Sequence, residues 1–333
     1  MIRSLVAQPM TLTEDEFTPL RNLTRERLEA ELAGDSMLWI DIVDGEEDEI
    51  RWLENILGLH PAVVEDLFRE DRRPALMVYP RYMFLSLFEP SIKLSKVSGK
   101  EIHCLFGKNF FVTVRGADAK ATDEAYNRVA RSATAWQQGL AYFLYLNIQF
   151  VIDSYYPLID RISVQLNTLE ENLMTNGVDK KQNARKPIYG IKQQLIALRQ
   201  MVGPQREVLS NVIGAELITA HDESRDLFRH LYERLLRIYD IIDAQRDLAN
   251  NVLDIIDSKE SSKLGETVSR LTILSMIFLP LTFFTSLFQL NFTTAAEPLV
   301  LPISGAVMFF VIVILMLLSV VFLFVLFRKQ GWI

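Results

Sequence analysis

The chain has 333 residues, half of them hydrophobic, with 35 basic against 42 acidic side chains, a mean hydropathy of +0.15 and one cysteine, Cys104. That composition excludes a disordered chain and argues against a wholly soluble one, while a single cysteine excludes an internal disulfide framework and a cysteine zinc ribbon. Beyond Arg270 the only ionised side chains are Glu297, Arg328 and Lys329, so residues 1–270 hold 33 basic and 41 acidic residues, a net of −8 by subtraction; such an acidic body lacks the electrostatic footprint for nucleic acid and attracts cations.

Met1 to Met10 holds no sustained apolar core, so no signal peptide is expected. The first third reads as α/β. Met37 to Val43 (MLWIDIV) suits a strand, closed by the turn residues Asp44 and Gly45. Glu49 to Leu57 and Pro61 to Phe68 have helical spacing, with Pro61 at a first-turn position. Three β-like runs follow: Ala75–Tyr79 with Tyr82–Phe88, Glu101–Phe106, and Asn109–Val114. Asp123 to Ala135 reads as a helix, and nothing beyond Gly139 resembles a strand.

Long helices fill the middle. Leu140 to Leu173 ends in the polar turn TNGVDKKQNARKP, and Ile188 to about Ile218 returns, with Pro204 as an expected kink. Leu140 to Ile159 mimics a membrane span, but Asn147, Gln149, Asp153 and Pro157 mark it as a buried soluble helix. From Asp222 to Leu290 there is one glycine, Gly265, and one proline, Pro280. A continuous helix there would be about 100 Å long. Leu227, Leu231, Leu235, Ile238, Ile241, Ile242 and Leu248, spaced by three and four, predict neighbouring helices on one side.

Leu271 to Leu290 is an uncharged run of 20 residues and Ile303 to Phe327 one of 25, separated by the 12 residues Asn291 to Pro302. Each is long enough to cross a hydrocarbon core of about 30 Å. Lys263 and Arg270 precede the first run, and Arg328 and Lys329 follow the second. Basic flanks belong inside, so both termini are expected in the cytoplasm and the short loop outside. The expected architecture is an α+β membrane protein: a cytoplasmic α/β domain (1–139), a cytoplasmic long-helix stalk (140–270) and a transmembrane hairpin (271–333), multi-pass in a bacterial inner membrane.

The first span carries a polar stripe. Read by threes and fours it gives Asp254, Ser258, Ser261, Gly265, Val268, Thr272, Ser275, Leu279, Thr282, Ser286 and Gln289, which share one helical face. Small residues also let helices approach closely. That accounts neither for the stripe's continuation outside the bilayer nor for its ending in Gln289 and Asn291. One hairpin cannot enclose a channel, whereas several copies turning this stripe to a common axis can. Hydroxyls and carboxamides offer oxygen dipoles without fixed charge, suited to a hard cation such as Mg²⁺ that keeps part of its water shell. Val268 and Leu279 then act as apolar constrictions, Asp254 as an acidic ring, and Asn291 as amide oxygens at the outer mouth.

SRLTILSMIFLPLTFFTSLFQLNFTTAAEPL, Ser269 to Leu299, resembles the first span and outer loop of the CorA family of divalent-cation transporters, within the two-span superfamily that also holds zinc transporters. HPAVVEDLFREDRRP, His60 to Pro74, resembles that family's cytoplasmic signature, and GPQREVLSNV, Gly203 to Val212, its middle-helix proline segment. The resemblance implies a funnel-shaped homopentamer in membrane lipid, with divalent cations as substrate and both termini cytoplasmic. The family ends its first span with Gly-Met-Asn or a Gly-x-Asn variant; here the triplet is Gln289-Leu290-Asn291. Asn291 matches the selectivity entrance and Glu297 an acidic position in the outer loop. Glycine tolerates backbone angles that glutamine avoids, so Gln289 puts ordinary Mg²⁺ selectivity in question.

Some members hold a regulatory cation between neighbouring cytoplasmic domains. By resemblance Glu65 and Asp66 match one side, and His230 and Glu233 the other. An imidazole favours Zn²⁺, Ni²⁺ or Co²⁺ over Mg²⁺, which points toward the zinc-transporting branch, with proton coupling as an option. A lone histidine on a charged helix is more often a solvated residue. The sequence also leaves open a transporter-like scaffold that no longer conducts.

His103 and Cys104 are adjacent in an expected strand and face opposite sides, so they do not grip one metal together. No phosphate-cradling glycine loop, nucleophile elbow or zinc-protease spacing appears. The expectation is a transporter, not an enzyme, with no cofactor beyond the transported or regulatory cation (Mg²⁺ or Zn²⁺), and with neither nucleotide nor nucleic acid as partner.

Overall fold

The computed structural model describes residues 1–7, 18–69, 73–94, 96–176, 185–219, 222–289 and 305–329. They fall in two units, Met1–Leu253 and Asp254–Ile333. In chain order the first unit holds β1 (Ile2–Ala7), β2 (Leu20–Arg21), α1 (Arg25–Leu32), β3 (Met37–Val43), α2 (Glu47–Leu57), α3 (Pro61–Phe68), β4 (Leu76–Val78), β5 (Tyr82–Lys93), β6 (Lys96–Gly107) and β7 (Phe110–Arg115). It continues with α4 (Lys120–Val129), α5 (Ala133–Gln137), α6 (Leu140–Asp153), α7 (Tyr155–Asn176), α8 (Arg185–Ile213) and α9 (Glu216–Thr219). The unit boundary lies inside α10 (Asp222–Gln289), and α11 (Gly305–Lys329) follows.

The strands form one sheet in the order β2-β1-β3-β7-β6-β5-β4. Among the described residues only β3 and β7 pair in parallel, with Leu38 opposite Phe110 and Val43 opposite Arg115. β1 and β2 differ from the sequence expectation, which has no strand before Met37. β1 is short and interrupted by Arg3 and Ser4, and its pairing with β3 over Ile2–Ala7 supplies what local propensity does not. The β5–β6 hairpin runs further than its apolar stretches, to Lys93 opposite Lys96, with Leu94 at φ 50° in the turn. The helix expected over Asp123–Ala135 is two, because Ser132 caps α5 by accepting from the Ala135 N–H at 3.2 Å.

Alternation in β3 divides the unit's core. Leu38, Ile40 and Ile42 point to one side and pack with Ile50, Leu53, Val63 and Val64 of α2 and α3. Trp39 and Asp41 point to the other. Trp39 lies 5.0 Å from Phe111 and 5.8 Å from Phe143 between ring centroids, so α6 sits on that face. Leu140, Phe143, Leu144, Ile148 and Val151 of α6 are buried there, which accounts for its span-like apolarity.

Asp41 is wholly buried and gathers two guanidiniums. Arg115 reaches it through Nε at 3.2 Å and Nη2 at 3.1 Å; Arg3 reaches it through Nε at 3.0 Å, and Thr113 Oγ1 donates at 2.6 Å. Asp123 of α4 accepts from both arginines, at 2.8 Å and 2.6 Å. Four elements (β1, β3, β7 and α4) are thereby tied through two carboxylates, Asp41 and Asp123. Burial works against the Arg3 charge, but Asp41 and Asp123 outweigh it and hold its pKa above the ordinary guanidinium value.

β4 covers β5 only from Met83 to Leu85, so the edge of β5 beyond needs other partners. Gln205 and Tyr155 supply them. Phe88 N–H donates to Gln205 Oε1 at 3.1 Å, Tyr155 Oη donates to the Phe88 carbonyl at 2.9 Å, and Gln205 Nε2 bonds Tyr155 Oη at 2.6 Å. This fixes α7 and α8 to the sheet edge, one residue past Pro204.

Within the first unit, α10 buries Phe228, Leu231, Leu235, Ile238, Ile242, Ala249 and Val252. This seam of threes and fours is rotated from the expected one, leaving Leu227, Ile241 and Leu248 partly exposed. Phe228 and Ala249 carry it on, and polar contacts explain the choice. Arg199 of α8 meets Asp243 at 2.9 Å, Gln245 donates to Ser163 Oγ of α7 at 3.1 Å, and Arg234 pairs with Asp153.

Candidate ion pathway

The second unit contains the stretch of α10 from Asp254 and all of α11. Both helices include windows long and apolar enough to cross a membrane. The α10 span has uncovered faces on several sides. Leu271, Leu274, Phe278 and Phe283 are exposed, as an acyl-facing surface requires.

The stripe occupies another face. Asp254, Ser258, Ser261, Gly265, Val268, Ser275, Leu279, Thr282 and Ser286 are exposed and Thr272 is half-buried. Ser275, Thr282 and Ser286 are therefore not buried against α11 of their own chain. A Cβ added at Gly265 would meet nothing within 4 Å, so no contact within the chain requires a glycine there. Gln289 is the last described residue of α10. Asn291 and Glu297 lie outside the described residues.

Hydroxyls of the stripe bond their own helix, as those of Ser262, Thr267 and Thr285 off the stripe also do. Thr272 Oγ1 donates to the Val268 carbonyl at 2.8 Å, Ser275 Oγ to Leu271 at 3.0 Å and Thr282 Oγ1 to Phe278 at 2.9 Å. Each proton is thus committed to the carbonyl four residues back, as hydroxyls do in apolar helices. What the oxygen then offers outward is lone pairs only. Pro280 adds to this: it has no N–H, so the Met276 carbonyl loses its donor four residues on. At Thr272, Ser275 and Thr282 the face accepts and does not donate, which suits a cation or the water protons around one.

The four residues matched to a regulatory site lie in the first unit. Glu65 is exposed on α3 and pairs with Arg69 at 2.8 Å, while Asp66 beside it is buried. His230 and Glu233 are exposed on α10. Among the described residues of one chain, no three histidine, cysteine, aspartate or glutamate side chains converge as metal ligands. The carboxylate the sequence reading passed over is Asp41; its signal is an acidic residue in the middle of the apolar strand MLWIDIV.

Residues 34–329 match the family model described as CorA-like Mg2+ transporter protein. The chain is 26% identical over 306 residues to the cobalt/magnesium transport protein CorA of Thermotoga maritima, covering 89% of this chain and 83% of that one. It is 30% identical over 133 residues to the zinc transport protein ZntB of Pectobacterium carotovorum, 40% of this chain and 39% of the relative. Among solved structures, the CorA magnesium transporter from Methanocaldococcus jannaschii has the same fold, with a TM-score of 0.77 at 19% identity over 99% of this chain and 98% of that one. A family match across nearly the whole chain joins two apolar helices and an N-terminal α/β unit, and the chain therefore belongs to the CorA-like Mg2+ transporters, membrane proteins of divalent metal cation transport.

Proposed function

We propose that the chain conducts divalent metal cations through a homopentamer in a bacterial inner membrane, with both termini cytoplasmic and the α10 stripe of each copy facing the common axis. In this reading residues 1–139 form the cytoplasmic α/β domain, 140–270 the stalk and 271–333 the membrane hairpin. The observation that carries it is the hydroxyls at Thr272, Ser275 and Thr282, whose protons are spent on their own helix and whose side chains are half-buried or exposed among the described residues.

A hydrated cation presents water protons outward, and such a wall accepts them without stripping the shell. Val268 and Leu279, both exposed, narrow the path with apolar rings that gate by dewetting. Asp254 sets an acidic ring at the inner mouth. Asn291 supplies amide oxygens at the outer mouth, and Gln289 beside it stands where the family has glycine. The driving force is the membrane potential or a cation gradient.

A second reading concerns the metal. His230, an exposed imidazole beside Glu233, and the partial likeness to a zinc transport protein favour Zn²⁺ in the same pathway. One experiment tests both. The protein is reconstituted in liposomes and influx of Mg²⁺, Co²⁺, Ni²⁺ and Zn²⁺ is followed with and without a pH gradient. Flux above empty vesicles that falls at least about tenfold in Asn291→Ala supports the pathway. Uptake of Zn²⁺ without Mg²⁺ selects the zinc reading. No flux of any metal leaves only a non-conducting scaffold and refutes transport.

A further inference from the structure

Two helical rows of the first unit reach solvent without a charge on them. On α8, Tyr189, Gln193, Ile196 and Gln200 recur by fours and threes on one face, and all four are exposed. Lys186 and Glu207 stand at the two ends of that face. On α10, Ile241, Ala244, Leu248 and Asn251 recur by threes and fours beside the buried seam. Ile241 and Leu248 are half-buried there, and Ala244 and Asn251 are exposed. Each row runs for about three turns. In a chain with 23% charged residues, a helix face left to water carries charge, so these two ask for a cover.

The rows stand at one height. Arg199 of α8 meets Asp243 of α10 at 2.9 Å. Seven residues further along α8, the Arg206 guanidinium lies 4.9 Å from the centre of the Tyr239 ring, four residues back along α10. The two helices are therefore antiparallel. Counting from these two contacts sets Gln200 level with Ala244, Ile196 with Leu248 and Gln193 with Asn251. Within one chain the rows do not face each other. α8 turns Arg199 and Arg206 to α10, and α10 turns Tyr239 and Asp243 to α8, on sides about a quarter turn or more from the rows.

A rotation about an axis along α10 keeps every residue at its height. In a ring of copies, one chain's α10 row thus comes opposite the next chain's α8 row, amide against amide and apolar against apolar. Ring closure requires two different faces of one chain that fit each other, rather than one face that fits itself. Two uncharged rows of equal length are such a pair. Leu248 against Ile196 withdraws apolar surface from water, with no charge to desolvate beside it.

We propose that neighbouring copies of this chain dock through these rows, α10 of one on α8 of the next, with Leu248 against Ile196 and Asn251 against Gln193. The docking rests on the common axis of the homopentamer proposed above, and its test separates the two. Cysteine variants of the full chain are oxidised in detergent micelles, linked chains are counted on denaturing gels, and the assembled mass is read by native mass spectrometry. Cys104 is buried and stays silent. A disulfide requires Cβ atoms about 3.5–4.5 Å apart. Ile196→Cys/Leu248→Cys gives a ladder of linked chains, at least about tenfold more than either single variant. Ile196→Glu, at an exposed position, loses the assembled mass on dilution, and carries the test should a cysteine variant fail to fold. Links from Leu248→Cys alone mean that α10 pairs with itself and overturn the docking. An assembled mass with no links in the double variant, or one that Ile196→Glu leaves unchanged, also overturns it and leaves the common axis standing. A one-chain mass throughout removes the axis as well.

Discussion

Asp41 pairs with a guanidinium held out of water, that of Arg115, and with the half-buried Arg3, and the cost of removing it is the cost of leaving the first without its buried counter-charge. The Arg115 side chain is 1% exposed and has Asp41 and Asp123 as its counter-charges. Asp41→Ala strips the wholly buried one, and breaking such a pair costs about 3–5 kcal/mol. Urea unfolding should show that loss, and a change below about 1 kcal/mol would mean that Asp123 alone suffices. Alkali acts at other residues. Burial pushes the Cys104 thiol well above its ordinary 9.0, with the Asn147 amide donating to Sγ opposing it, and pushes the Tyr155 hydroxyl above its ordinary 10.0. Both groups are protonated in the fold and ionise first in the unfolded chain, so the unfolded state gains from rising pH. Stability contributed by Cys104 is whole below pH 9 and drains above it; that from Tyr155 drains above pH 10. The urea midpoint should therefore fall from about pH 9 upward, and Cys104→Ala should shift the onset toward pH 10. An onset that ignores the substitution refutes this account.

Elements were legible to the degree that their own periodicity carries them. β3 announces itself by an apolar run closed by turn residues, α2 and α3 by helical spacing, and the two spans by length without charge. β1 does not, since its six residues become a strand only because β3 offers a partner. The rotated seam of α10 was half legible: threes and fours give a helix face, but the choice between Leu227 and Phe228 depends on where Asp153, Ser163 and Arg199 stand on other helices. Gln205 is illegible for the same reason, being one polar residue among many until β5 presents an unpaired edge. Gln205→Ala should cost about 1–3 kcal/mol, because the Phe88 N–H and Tyr155 Oη lose a buried partner. Equal stability by urea unfolding would show that the edge is satisfied another way. The stripe in α10 makes its own prediction. Cys104 is buried, so cysteines introduced singly report their own surroundings. In reconstituted protein a water-soluble thiol reagent should label Thr282→Cys quickly and Phe283→Cys slowly, by at least about tenfold. Equal labelling would place the two positions in one environment and remove the water-filled path.

At the scale of the whole molecule, the fold is a shared property of the family and the assembly is the open quantity. A stripe uncovered within its own chain calls for partners beyond it, and five copies are expected by native mass spectrometry of the protein in lipid nanodiscs. A mass equal to one chain under all detergents would remove the shared axis on which conduction depends. The hydroxyl bonds of α10 bear on how such an assembly is reached. Thr272, Ser275 and Thr282 close their hydrogen bonds onto their own backbone, so at these three positions a solitary subunit meets acyl chains with no dangling donor. Insertion and oligomerisation are then separable events. A newly made subunit can rest in the bilayer as a finished helix pair, diffuse laterally, and find its siblings later, with the ring closing around water that was never needed to keep the lone chain intact.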